Sequence, residues 1–231
     1  PIIGCEVYLA PKSRFDRQSK NDGGSNGDED RSYHLVLLAE NQEGYQNLLK
    51  LVTLASLEGF YYKPRIDKEL LRQHHAGLIG LSSCLKGEIA GMLLRHQEQA
   101  ARKAALEYAE ILGPNNFYLE IQANGIPEQS VVNDGLIQLS RELALPLVAT
   151  NDCHYLRRSD SRAHEILLCI QTGKTISDEK RLKFQTDQLY FKSPEEMARE
   201  FAHVPEALAN TLVIADRCQV ELETGKLHFP N

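Results

Sequence analysis

Four apolar runs in this chain each deliver a side chain that can bind a metal. Glu6 lies inside Gly4-Cys-Glu-Val-Tyr8, and His34 opens Tyr33-His-Leu-Val-Leu-Leu38. Cys84 follows Gly77-Leu-Ile-Gly-Leu-Ser-Ser83, and Asp152 and His154 follow Leu145-Pro-Leu-Val-Ala-Thr150. A carboxylate inside an apolar strand is costly unless it meets a cation or a metal. Asp152 and His154 stand two residues apart, which puts both on one face of an extended segment. Taken singly, each has a plainer explanation. Glu6 could pair with an arginine, and His34 could be a satisfied strand-start histidine. Cys84 could be a small buried hydrophobe, and Asp152 could cap the next helix. Together, carboxylate, imidazole and thiolate suit a transition-metal site. They favour Zn²⁺, since Mn²⁺ or Fe would take fewer thiolates.

Two further positions could support such ligands. Glu120 shares a strand face with Gln122 in Tyr118-Leu-Glu-Ile-Gln122, lining the same rim or pointing to solvent. His164, in Arg162-Ala-His-Glu-Ile166, could stand behind the ligands or simply be a packed or exposed helix histidine. His74 and His75 end a helix, where a cation favours the dipole. His96, His203 and His228 carry no pattern. Lys50, Lys63, Arg65, Lys86, Arg157 and Arg158 are scattered and read as a solvated surface.

These ligands converge only if the apolar runs are strands of one sheet. Strands are predicted over Ile2 to Leu9, Tyr33 to Ala39, Gly77 to Ser83, Asn116 to Gln122, Leu145 to Thr150 and Gln188 to Lys192. Asn41 and Asp67 sit where helix caps belong, ahead of Tyr45, Leu48, Leu49 and Val52 and of Lys68 to His74. Further helices are predicted over Gly87 to Leu112, broken near His96, from Pro127 to about Leu143, over Ser159 to Thr172, Pro194 to Ala202 and Pro205 to Cys218. Strands alternating with helices imply parallel strands covered by helices, as an open sheet or a barrel. In a barrel, chemistry sits at the carboxyl ends of the strands. Neither GxGxxG nor GxxxxGK[ST] occurs, so both phosphate-cradle fingerprints are missing.

Composition narrows the class. The chain has 231 residues, 42% apolar and 25% charged, the balance of a globular protein. With no Trp and 7% aromatics, a base-stacking platform is not expected. A formal charge of -6 argues against a whole surface built to bind phosphates. No apolar run approaches the ~18 residues of a membrane span. The five cysteines are irregularly spaced and form no CxxC pair, which reads as reduced thiols in a cytoplasmic protein. The polar, Gly-rich stretch over residues 12–32 is expected to be a mobile loop. The abrupt first strand and the ending at Asn231 read as a fragment of a longer chain.

The ordered set of motifs resembles one known family. Pro1-Ile-Ile-Gly-Cys-Glu-Val-Tyr8, Tyr33-His-Leu-Val-Leu-Leu-Ala39, Asn41-x-x-Gly-Tyr-x-Asn-Leu48, Leu81-Ser-Ser-Cys84, Phe117-Tyr-Leu-Glu-Ile-Gln122 and Ala149-Thr-Asn-Asp-Cys-His-Tyr155 are similar to the PHP (polymerase and histidinol phosphatase) domain of bacterial DNA polymerase III alpha subunits. Ala163-His-Glu-Ile-Leu-Leu-x-Ile-Gln171 and Ser193-Pro-Glu-Glu-Met197 continue the likeness.

The resemblance implies an α/β fold, a distorted (β/α)7 TIM-like barrel truncated at its N-terminus. The PHP domain would span residues 1–215, and residues 216–231 would connect towards a polymerase domain. It assigns Glu6, His34, Cys84, Asp152 and His154 to metal-ligand positions, with Zn or Mn in one or several ions. The family's HxH motif, a following Asp and an Asp-His-Gly segment precede its Gly-Cys-Glu strand and are absent here, so the cluster is expected to be incomplete in this chain alone. Asn124 stands where many relatives carry a histidine and is not counted as a ligand. The parent would be a replicative DNA-directed DNA polymerase using Mg²⁺ on carboxylates outside this chain, working with DNA, a proofreading exonuclease subunit and other replicase subunits. The PHP metals would be structural or would serve a 3′–5′ exonuclease. A free-standing PHP phosphoesterase and a metal-free interaction scaffold are the alternatives.

Overall fold

The computed structural model describes residues 1–17, 32–222 and 225. Most of the expected loop over residues 12–32, and His228, lie outside the described residues. Six strands form one sheet in the order β3-β1-β2-β4-β5-β6. They are β1 (Ile3–Leu9), β2 (Tyr33–Ala39), β3 (Arg65–Ile66), β4 (Leu78–Leu81), β5 (Phe117–Gln122) and β6 (Leu147–Thr150). Between and after them run α1 (Gln42–Leu57), α2 (Lys68–Gln73), α3 (Glu88–Leu94), α4 (Glu98–Leu112), α5 (Pro127–Leu143), α6 (Ser161–Thr172), α7 (Pro194–Glu200) and α8 (Pro205–Arg217). The architecture is mixed α/β.

The expectation of uniformly parallel strands needs correction. β2 runs antiparallel to both neighbours, β1 and β4, while β1–β3, β4–β5 and β5–β6 are parallel. The residues between β1 and β2 carry no apolar helical repeat. A direct return gives an antiparallel pair, whereas a parallel one needs a crossover helix. The strand predicted over Gln188 to Lys192 is also absent. That segment makes one isolated bridge among the described residues, Tyr155 with Tyr190, in the irregular stretch after β6.

Side-chain alternation divides the sheet into two faces. Val7, Leu9, Leu35, Leu37, Leu78, Phe117, Leu119, Ile121, Leu147 and Ala149 point to one face and pack with α1 to α5 in the main core. Ile79, Leu81, Tyr118 and Val148 point to the other, where Ile214 and Cys218 cover them at one end. Glu6, His34, Glu120 and Thr150 belong by alternation to this second face, at its other end.

Local signals set the helix starts. The Asn41 side chain accepts from Gly44 N at 3.0 Å and the Asp67 side chain from Leu70 N at 2.9 Å. His96 has φ +55, which separates α3 from α4 where the sequence predicts a break. Asp67 also accepts from Arg14, whose guanidinium reaches Glu58, so the chain just after β1 is tied to α1 and α2. Gly77 has φ +71 and touches the first turn of α1. A Cβ on Gly44 would lie 1.7 Å from the Gly77 carbonyl oxygen. Gly44→Ala is therefore expected to cost ~3 kcal/mol, read as a lower thermal midpoint; an unchanged midpoint would contradict this contact.

The outer helices carry an ion-pair network. Lys68 Nζ lies 2.8 Å from Glu107 and 2.9 Å from Glu88, and Arg72 lies 2.7 Å from Glu107. Burial opposes ionisation of Glu107, but the Lys68 and Arg72 hydrogen bonds and charges outweigh it and hold the carboxyl below its ordinary value. A depressed carboxyl stabilises the fold above the unfolded pKa, and this contribution is lost as pH falls through the folded one. Thermal stability should drop on acidification below the ordinary value of 4.5, and Glu107→Gln should make that drop shallower.

Candidate metal centre

The reversed direction of β2 is what brings the first ligands together. Register pairs His34 with Tyr8 and Val36 with Glu6, so the amino end of β2 lies beside the carboxyl end of β1. Glu6 and His34 then share a face, with Glu6 Oε1 2.9 Å from His34 Nδ1. Cys84 Sγ lies 3.7 Å from the same nitrogen. One ligand atom each from Glu6, His34 and Cys84 fall within 4.8 Å of one another. The alternative partner for Glu6, an arginine, is not what it meets. The His34 hydrogen bond pulls the Glu6 carboxyl below its usual range. Burial disfavours the His34 cation, yet the hydrogen bonds and charges of Cys84 and Glu6 raise it to about 9. His34 Nε2 is buried without a hydrogen-bond partner among the described residues.

Cys84 is placed by a turn with a strained residue. Ser83 follows β4 with φ +66, a region that side chains other than Gly adopt at a cost. Glu120 holds it there. Fully buried, Glu120 accepts from Ser83 N at 3.0 Å, from Thr150 Oγ1 at 2.5 Å and from Gln122 Nε2 at 3.2 Å. Burial raises its carboxyl above the ordinary range, and repulsion from Asp152 adds to this. Asn124 Nδ2 extends the network to Gln122 Oε1 at 3.3 Å. Glu120 and Gln122 thus line the rim from beneath and do not face solvent, and Asn124 supports Gln122.

Asp152 follows β6 with φ +50, and His154 Nδ1 donates to the Asp152 carbonyl at 2.7 Å, leaving Nε2 free as a ligand atom. The two are outside the compact Glu6–His34–Cys84 group but in its field. Burial raises the Asp152 carboxyl, with His154 and His34 opposing and Glu6 reinforcing the shift. His154 in turn helps lower Glu6. His164 stands beside His154, ring centroids 5.4 Å apart, on α6.

A divalent ion fits this donor set: carboxylate, imidazole nitrogen and thiolate are the atoms that Zn²⁺ takes in proteins. All five predicted ligands lie at the end of the sheet where β4, β5 and β6 finish. Similarity to known proteins agrees with the geometry. The PHP domain family matches residues 1–124. The chain belongs to the PHP domain family. DNA polymerase III subunit alpha of Treponema pallidum is 49% identical over 96% of the chain and 18% of that protein. The subunit of Borreliella burgdorferi is 46% identical over 100% of the chain and 19% of its own length, and that of Thermus aquaticus 47% over 97% and 18%. The chain therefore spans about a fifth of the length of these curated relatives.

Sequence reasoning missed two contributors to this PHP domain's rim. Ser83 Oγ donates to Glu6 Oε2 at 3.4 Å, a role no spacing rule marks. Tyr8 stands edge-on to His34 at 5.1 Å, and strand alternation with Glu6 could have flagged it. Glu120→Ala should cost about 2–4 kcal/mol in a denaturant titration, because Ser83 N–H and the Thr150 hydroxyl lose a buried acceptor. Glu120→Gln, which keeps one acceptor oxygen, should cost less.

Proposed function

We propose that this chain is the PHP-domain portion of a replicative DNA polymerase III alpha subunit, and that Glu6, His34, Cys84, Asp152 and His154 hold a divalent metal. The convergence of Glu6, His34 and Cys84 within 4.8 Å carries the metal assignment. Similarity along the chain to subunits about five times longer supports the polymerase parent and does not favour a free-standing phosphoesterase. On this reading the sheet is part of the wall of a distorted (β/α)7 barrel. The domain ends near residue 215, and residues 216–231 lead on towards the polymerase domain. The parent extends primers with Mg²⁺ bound elsewhere, acts on DNA in the cytoplasm, and assembles with a proofreading exonuclease subunit and other replicase subunits. Among the described residues no helix is long and apolar enough to cross a membrane.

The residues have separate jobs. Ser83 orients the Glu6 carboxylate, and the Asp152 carbonyl fixes the His154 ring so that Nε2 is the ligand atom. Glu120 stays in the protein, holding the turn that carries Cys84. A divalent ion held by these residues would supply Lewis acidity and an activated water at a phosphodiester, and would stabilise the fold by binding only the native state.

The test is metal stoichiometry of the full-length protein with Cys84→Ser and Asp152→Asn. The second substitution removes charge but suits a left-handed backbone, which Asn tolerates. Both variants should bind less metal and melt lower in metal-replete buffer, and chelator should erase the difference from wild type. Unchanged stoichiometry in both would overturn the assignment. Metal-dependent release of 3′-terminal nucleotides from a labelled single strand, absent in Asp152→Asn, assigns nuclease chemistry to the site. An intact strand assigns the metal to stability alone.

A further inference from the structure

A cleft of about 470 Å³ lies between the first half of α5 and residues 188–203, and none of the five predicted metal ligands lines it. Its α5 wall holds a buried acceptor that meets no donor. Asn133 sets this up. Its side chain donates to the Gln122 carbonyl at 2.7 Å and accepts from Gln122 N at 3.2 Å, so its amide has one orientation. The Asn133 oxygen also accepts from Gln129 Nε2 at 3.0 Å, which turns the Gln129 oxygen the other way. Gln129 is 2% exposed and lines the cleft, and its Oε1 is buried without a hydrogen-bond partner among the described residues. A buried acceptor left unmet is costly, and native structures keep few of them. Asp134 lies on the same wall, exposed and with no ion-pair partner among the described residues.

The facing wall has the opposite need. The Lys192 side chain is 2% exposed. Its Nζ donates to the Ala123 carbonyl at 2.5 Å and stands 3.6 Å from Glu200, beyond hydrogen-bond distance. An ammonium has three protons to place, and here one is placed. One wall therefore lacks a donor and the other lacks an acceptor. A simple anion would satisfy Lys192 but leave Gln129 unmet and face Asp134. A simple cation would satisfy Gln129 and Asp134 but face Lys192. A small molecule carrying both charges suits both walls, in the way that a few placed polar groups orient a ligand in a pocket.

We propose that this cleft binds a free α-amino acid, with its ammonium on Gln129 Oε1 and towards Asp134, and its carboxylate on Lys192 Nζ. The site uses none of the metal ligands and goes beyond the metal-dependent reading without resting on it.

The test is calorimetric titration of the full-length protein with glycine and with L-glutamine, and with acetate and methylammonium as half-ligands. Either amino acid should bind, and the half-ligands should bind at least tenfold more weakly. Asp134→Asn, at an exposed position, and Gln129→Leu should each weaken binding several-fold, and Lys192→Met about tenfold. If Lys192→Met does not fold, the other two variants decide. All folded variants should keep wild-type metal stoichiometry, and binding should persist in chelator and in Asp152→Asn. No binding of either amino acid, which leaves water alone to meet Gln129, would overturn the proposal. Equal affinity for a half-ligand, or full affinity in Asp134→Asn and Gln129→Leu, would also overturn it. Each of these results leaves the metal assignment standing.

Discussion

One buried carboxylate organises the functional end of this molecule. Glu120 sits on the central-to-edge strand β5 and accepts from groups that belong to three different strand ends: Ser83 after β4, Thr150 on β6 and Gln122 on β5 itself. Burying a carboxyl is tolerable only when its oxygens are met in this way. Once it is met, the turn bearing Cys84 and the strand leading to Asp152 and His154 are fixed relative to each other. Two of the residues with positive φ, Ser83 and Asp152, lie at or within two positions of groups that Glu120 holds. Strain there is sustained because the surrounding hydrogen bonds leave the backbone no alternative.

The second organising fact is the division of labour between the sheet's faces. One face packs against α1 to α5 and part of α8 and is almost wholly apolar. The other is apolar only where α8 covers it, and becomes polar towards the rim. Period-two alternation means that a single strand serves both purposes: Val7 and Leu9 build the core while Glu6 and Tyr8 face the site. Moving β1 by one residue in register would exchange these roles, so the apolar core and the donor cluster enforce the same alignment.

Much of this was legible in local chemistry. Caps at Asn41 and Asp67, proline at the start of α5, and the break at His96 are decided by a few neighbouring residues, and the structure places them as read. The direction of β2 was misread because the strand–helix alternation of the rest of the chain outweighed the missing helical repeat between β1 and β2. β3 is two residues held by backbone pairing to β1, with no pattern of its own. The apolar Leu-Tyr-Phe run near residue 190 imitates a strand but has a single bridge to pair with. The donor list itself could be read from residue types. That three of the donors meet closely while Asp152 and His154 act at longer range depended on strand register and on turn geometry.

Helix α8 ties together residues far apart in the chain. Arg217 reaches Glu40 at 2.9 Å, the Asn115 carbonyl at 2.6 Å, the Tyr118 hydroxyl at 3.3 Å and the Asn116 side chain, while Gln219 N donates to the Glu40 carbonyl. Glu40 and Arg217 are 177 positions apart. Contacts of such separation form after the intervening chain is available, and their loop-closure entropy slows folding. During synthesis, therefore, the Ile79–Leu81–Tyr118–Val148 surface stays wet until the ribosome has released α8. Through that interval the nascent chain carries an apolar surface that only a later segment of the same chain buries.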